Sequence, residues 1–165
     1  MPKFVADSAE TTGLKWQAAS TGGSWTQAAT GSLTGASITV SGLSGKQYYV
    51  YLEGWSHSAS SEYVQIRLNG DTGNNYRTGD SDVAISAVYL NGTGTYAAAS
   101  TRSSGAYINM ADTSMSRKPF LSMTPNSTNG SASGWYVSSS AITSITIFPS
   151  GGNFDAGTYY VWSFA

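Results

Sequence analysis

The residues able to do chemistry in this chain are few. There is one histidine, His57, and no cysteine. A lone imidazole cannot build a multi-histidine metal site, and thiol chemistry is absent. A Ser/His/Asp set can be drawn on paper from His57, a serine and Asp80 or Asp82, but nothing has the spacing of a nucleophile elbow, so His57 reads as an ordinary loop residue. Glu53 and Glu62 form a conceivable glycosidase pair, since that chemistry needs two carboxylates flanking one bond. They fall on neighbouring predicted strands with no sign of a shared cleft. Asp71, Asn74, Asn75, Asp80 and Asp82 make an oxygen-rich stretch, yet calcium wants about six to eight oxygen ligands. The spacing fits a hydrogen-bonded turn better, because Asn and Asp side chains bond their own backbone. Glycine-rich stretches lack the Lys-Ser/Thr of a phosphate loop. The expectation is therefore no enzyme, no metal and no cofactor.

What the chain has in supply is aromatic rings and hydroxyls: eleven Tyr, five Trp and many Ser and Thr. Aromatics favour strands and fill sheet faces. The sharper reading is a sugar-stacking or subunit-contact surface, with Trp55, Tyr76 and Trp135 as the candidates for sugar. Charged residues are only 10% of the 165, against roughly 25% in ordinary domains. Basic residues are too few and scattered for nucleic acid. No apolar run approaches the roughly 20 residues of a membrane-spanning helix, and the first residues lack the apolar core of a secretion signal.

The elements that would position these groups are short strands. Ala36–Val40 alternates, with Ile38 and Val40 inward. Lys46–Trp55 places Tyr48, Val50 and Leu52 on one face and Gln47, Tyr49, Tyr51 and Glu53 on the other. Ser61–Leu68 sets Val64, Ile66 and Leu68 against Tyr63, Gln65 and Arg67. Further strands are Val83–Leu90, Ala106–Met110, Phe120–Met123, Ile142–Phe148 and Thr158–Phe164. Ile142–Phe148 is apolar on both faces, as a central strand, or one with a face buried in a subunit contact, would be. Asn69-Gly70, Asn91-Gly92 and Asn129-Gly130 punctuate the strands as turns. Thr95–Gly105 reads as a helical turn or long loop, and Thr124–Ser133 as a loop. No stretch holds helical spacing for three turns. The predicted fold is all-β, an antiparallel β-sandwich, jelly-roll-like, over residues 33–165.

Residues 1–32 read as an extended N-terminal docking arm and linker. The first sixteen are polar, show neither helical nor strand periodicity, and carry spaced anchors at Phe4, Val5, Leu14 and Trp16. Residues 17–32 are small and polar, with Gly22-Gly23 as the bend.

Three segments carry a family resemblance: Ala6-Asp-Ser-Ala-Glu-Thr-Thr-Gly-Leu-Lys-Trp16, Ile66-Arg-Leu-Asn-Gly-Asp-Thr-Gly-Asn-Asn-Tyr76, and Trp135 through Thr158. Together they resemble a recurrent β-rich domain of tailed-bacteriophage virion proteins of the head-decoration, minor tail and tail-appendage kinds. The closing strand Tyr159–Ala165 departs from the family's apolar ending on Leu-Tyr-Gly. The resemblance implies a non-enzymatic, oligomeric virion structural protein. The first expectation is a capsid decoration or cement protein anchored on the major capsid protein through Phe4, Val5, Leu14 and Trp16. The alternative is a tail-appendage tip that binds a host surface glycan. A carbohydrate-binding module is the competing class. A homotrimer fits symmetric assembly, with Tyr160, Trp162 and Phe164 as its subunit contact.

Overall fold

A computed structural model describes residues 22–60, 62–79, 82–90, 101–123 and 132–165, with the backbone of 3–6, 14–17 and 131. Near the N-terminus, β1 (Lys3–Ala6) and β2 (Leu14–Gln17) pair antiparallel, Phe4 opposite Trp16. This corrects the wholly extended arm: these short runs join Phe, Val, Leu and Trp, all at home in strands, to a partner strand. The side chains of Phe4, Val5, Leu14 and Trp16 lie outside the described residues.

The rest is an antiparallel β-sandwich. The strands are β3 (Trp25–Ser32), β4 (Ile38–Ser41), β5 (Gln47–His57), β6 (Val64–Leu68), β7 (Tyr76–Thr78), β8 (Ala84–Ile85), β9 (Val88–Tyr89), β10 (Arg102–Ile108), β11 (Arg117–Met123), β12 (Ser131–Val137), β13 (Ser144–Pro149) and β14 (Phe154–Phe164). The larger sheet runs β3-β14-β5-β10-β11-β12-β7-β8, and the smaller β4-β13-β6-β9. Strands β3 to β6 alternate between the sheets, and β13 and β14 insert between them, one into each sheet.

The core is the pair of inner faces. Tyr48, Val50 and Leu52 of β5 and Val161 of β14 meet Val64, Ile66 and Leu68 of β6 and Ile145 and Ile147 of β13, all fully buried. The alternation read from the sequence groups Tyr48, Val50 and Leu52 on one face and Val64, Ile66 and Leu68 on another, and these are the inward faces; the strands of Ile145, Ile147 and Val161 read as apolar on both faces, and the structure selects the inward one. As expected, β13 is central, between β4 and β6.

Four segments differ from expectation. Val83–Leu90, read as one strand, is broken into β8 in the larger sheet and β9 in the smaller. Trp25–Ser32 is an edge strand paired along its length with β14, not linker, so the sandwich begins before residue 33. Its small polar residues hide it because an edge strand needs a hydrogen-bonded neighbour more than a buried side chain. Arg102–Gly105 opens β10 rather than sitting in a loop; Thr95–Ser100 lies outside the described residues, as do Thr124–Gly130 and the Asn91-Gly92 and Asn129-Gly130 turns. Strand β12 begins at Ser131, within the predicted loop.

Candidate binding face

The aromatic part of the larger sheet's outer face is built by four strands that the sequence keeps far apart. In β5 the residues opposite the core set are Gln47, Tyr49, Tyr51 and Glu53. Antiparallel pairing brings cross-strand partners onto one face. In β14, Trp162 stands opposite Tyr49, Tyr160 opposite Tyr51 and Phe164 opposite Gln47. On the other flank, Tyr107 of β10 stands opposite Tyr49. Trp25 of β3 closes the corner opposite Phe164.

The rings support one another. Tyr49 stacks on Tyr51 at 6.4 Å between centroids and Tyr51 on Tyr160 at 6.1 Å. Trp25 leans on Tyr107 at 6.0 Å and on Phe164 at 5.5 Å. Gly105, opposite Tyr51, makes room beside this stack: a Cβ there would stand 2.9 Å from the Tyr49 hydroxyl. Trp25, Tyr49, Tyr107 and Trp162 line an open depression of about 340 Å³. Trp25 and Trp162 are 41% and 36% exposed, so these rings are available.

Polar groups sit at both ends of the row. The Tyr107 hydroxyl bonds to Gln47 Oε1. The Tyr160 hydroxyl donates to Glu53 Oε2 at 3.0 Å. That bond, with desolvation and the carboxylate's charge behind it, raises the Tyr160 phenol's pKa. Desolvation, then the neighbouring Tyr51, raises that of Tyr49.

The residues expected to meet sugar fare differently. Trp55 is fully buried, its Nε1 donating to Ser104 Oγ at 3.0 Å. The cause is a β-bulge. Leu52 and Trp55 oppose Ser104 and Arg102, so β5 carries one extra residue there, and Gly54 takes φ +60°. A one-residue insertion flips every later side chain to the other face. Tyr76 is also fully buried. Its hydroxyl accepts from Leu68 N at 2.8 Å, its ring stacks on Tyr136 at 4.8 Å, and burial pushes its pKa well upward. Tyr76 therefore pins the turn after β6 and offers no face to a ligand. Trp135 does share the outer face, opposite Pro119. The Arg117 guanidinium lies over its ring at 5.0 Å. The expected contact trio, Tyr160, Trp162 and Phe164, is brought together, on the same face as Tyr49 and Tyr51.

The remaining polar candidates serve the fold. His57 ends β5 buried, not in a loop; its Nδ1 lies 2.7 Å from Ala59 O and its ring stacks on Trp55 at 5.8 Å. Glu53 belongs to the larger sheet, whereas the Glu62 carboxylate bonds to Ser150 beside the smaller one, so they are not on neighbouring strands. Asp71 receives Gly73 N at 2.8 Å, Asn75 Nδ2 at 2.9 Å and the Tyr136 hydroxyl at 3.1 Å, the hydrogen-bonded turn expected. Desolvation pushes the Asp71 pKa up, but the bonds from Asn75, Gly73 and Tyr136 together hold it below the usual carboxylate range. Asp82 approaches Arg77 at 3.9 Å, and Asp80 lies outside the described residues. Among the described residues no three His, Asp or Glu side chains cluster as metal ligands, and no helix is long and apolar enough to cross a membrane.

No family model and no curated protein matches this chain. Among solved structures it is similar to scytalido-glutamic peptidase bound to a transition-state analog inhibitor, with 12% identity over 81% of this chain and 75% of that one, at a TM-score of 0.40. It is similar to SCP-B, an eqolisin-family peptidase, with 14% identity over 82% and 65%, at 0.33. A third is the endo-β-1,4-glucuronan lyase of the fungus Trichoderma reesei, with 9% identity over 99% and 84%, at 0.35. At these scores the likenesses carry no argument about activity.

Proposed function

We propose that this chain is a non-enzymatic structural protein of a tailed-phage particle, a capsid decoration domain displayed outward and held at its N-terminal end. The observation that carries the reading is the aromatic outer face of the larger sheet. Rings in contact within β5, between β5 and β14, and from β3 to β10 and β14 make a rigid holding surface, and a displayed domain needs such a surface where it meets its surroundings. The three segments resembling phage virion domains supply the setting. The same face favours a second reading, a tail-appendage tip, because recognition of a host surface uses exposed rings. Immunogold labelling of intact particles with an antibody against this domain separates the two. Label over the head is the expected result, and label at the tail end selects the appendage. Absence of label from every particle overturns the virion setting and leaves a carbohydrate-binding module.

A further inference from the structure

We infer that the aromatic face takes a neutral oligosaccharide, seated on Trp25, Tyr49, Tyr107 and Trp162 and running toward Tyr51 and Tyr160. The inference rests on the reading of this face as the contact surface and names what it contacts.

The first argument is shape. The depression of about 340 Å³ falls in the range of small-molecule sites, about 300–1,000 Å³. Four aromatic side chains line it, and two of them are more than a third exposed. A pyranose ring is amphipathic in just this sense: its C–H face stacks on a flat π-surface, while its hydroxyls radiate from the edge. The second argument is the placement of polar groups. Tyr107–Gln47 and Tyr160–Glu53 lie beside the rings, not among them. Each pair leaves capacity over: the Gln47 amide N–H groups, the second Glu53 oxygen, and a lone pair on each phenol. Donors and acceptors at the rim of stacked rings suit sugar hydroxyls.

Charge decides between occupants. Among the described residues on this part of the face, Glu53 is anionic and none is cationic. A uronate, sulfated or phosphorylated glycan would meet a carboxylate with nothing to pair it. A second copy of the chain, meeting the same patch across a two-fold axis, would bury Glu53 without a partner cation, which is costly. A neutral glycan meets neither penalty. The rings are also held in place before any ligand arrives, which lowers the ordering cost of binding.

The test is a titration of the full chain, followed by the indole N–H NMR signals of its tryptophans. The probes are neutral hexasaccharides of β-1,4-glucose, α-1,4-glucose and β-1,4-N-acetylglucosamine, with oligogalacturonate as the acidic counterpart. At least one neutral sugar should shift the Trp25 and Trp162 signals, leave Trp55 still and bind with Kd of about 1 mM or tighter. Trp162→Ala should weaken that binding about tenfold. Tyr89→Phe, in β9 of the smaller sheet and away from this face, should bind within a factor of about three of the native chain. Failure of all three neutral sugars, equal binding of the galacturonate, or shifts centred on Trp135 overturns the inference. If no sugar binds but Trp162→Ala dissociates an oligomer in sedimentation, the sugar is wrong and the contact face stands. If the variant changes neither, both readings fall.

Discussion

Replacing Trp55 and Trp162 separately by Ala tests the assignment of one to the core and the other to the working face. A buried Trp removes about 150–250 Å² from water. At about 25 cal/mol per Å², complete burial of Trp55 corresponds to about 4–6 kcal/mol, an upper figure because unfolded chains already hide some surface. Measured Trp→Ala losses in cores run about 3–5 kcal/mol. Trp55→Ala also removes the bond to Ser104 Oγ. An ordinary domain has about 5–15 kcal/mol in all, so Trp55→Ala is expected to bring this one to the edge of unfolding. Trp55→Phe keeps most of the ring area and should lose about 1–2 kcal/mol. Trp162 is 36% exposed and packs on the outer face, so the same area figure gives an upper value of about 2–4 kcal/mol, with no enclosed cavity left to add to it. Urea unfolding followed by far-UV circular dichroism reads both, with the denaturant slope confirming that each variant starts from the same compact state. Equal losses for Trp55→Ala and Trp162→Ala, or native stability in Trp55→Ala, would refute the bulge argument and the face built on it.

Three further predictions follow from particular contacts. Gly157 has φ +113° and a Cβ there would stand 2.6 Å from Trp55 Cα, so Gly157→Ala should lose about 3 kcal/mol in the same urea assay, with unchanged stability counting against the backbone fit. Asp71 has a folded pKa below the ordinary Asp value of about 3.9. The stability it contributes is therefore fully present above that pH and drains away as the pH falls through the folded value; acid titration of unfolding should show this loss, flattened in Asp71→Asn. Lys118 is buried and its Nζ donates to Thr113 O at 2.6 Å and Met115 O at 3.0 Å; Lys118→Met should lose about 2–4 kcal/mol of thermal stability by stripping that donor from two carbonyls.

Much of the sandwich was legible because alternation is a local signal. Tyr48, Val50 and Leu52, and Val64, Ile66 and Leu68, announce their inward faces without reference to any other strand. The opposite side of the same strand, Tyr49 and Tyr51, was visible too, and an aromatic pair facing away from a core is the signal by which the site could have been found. What the local pattern lacks is the neighbour. That β14 and β10 flank β5, bringing Trp162, Tyr160 and Tyr107 beside those tyrosines, depends on strand order, which alternation does not encode. Trp55 falls in a similar gap: its parity depends on the bulge at Gly54, and a glycine in a strand signals a bulge without saying which residues it flips. Strand β3 escaped notice because its exposed small residues carry no pattern, and only pairing with β14 makes it a strand.

The proposed virion role requires that the aromatic face be open to the surroundings of the particle. Hydroxyl-radical footprinting of intact particles, read by mass spectrometry, measures this directly. The account predicts that Trp25 and Trp162 are oxidised on the particle as readily as in the free chain, while Trp55 is protected in both. Protection of Trp25 and Trp162 on the particle would place the face against another subunit and contradict it.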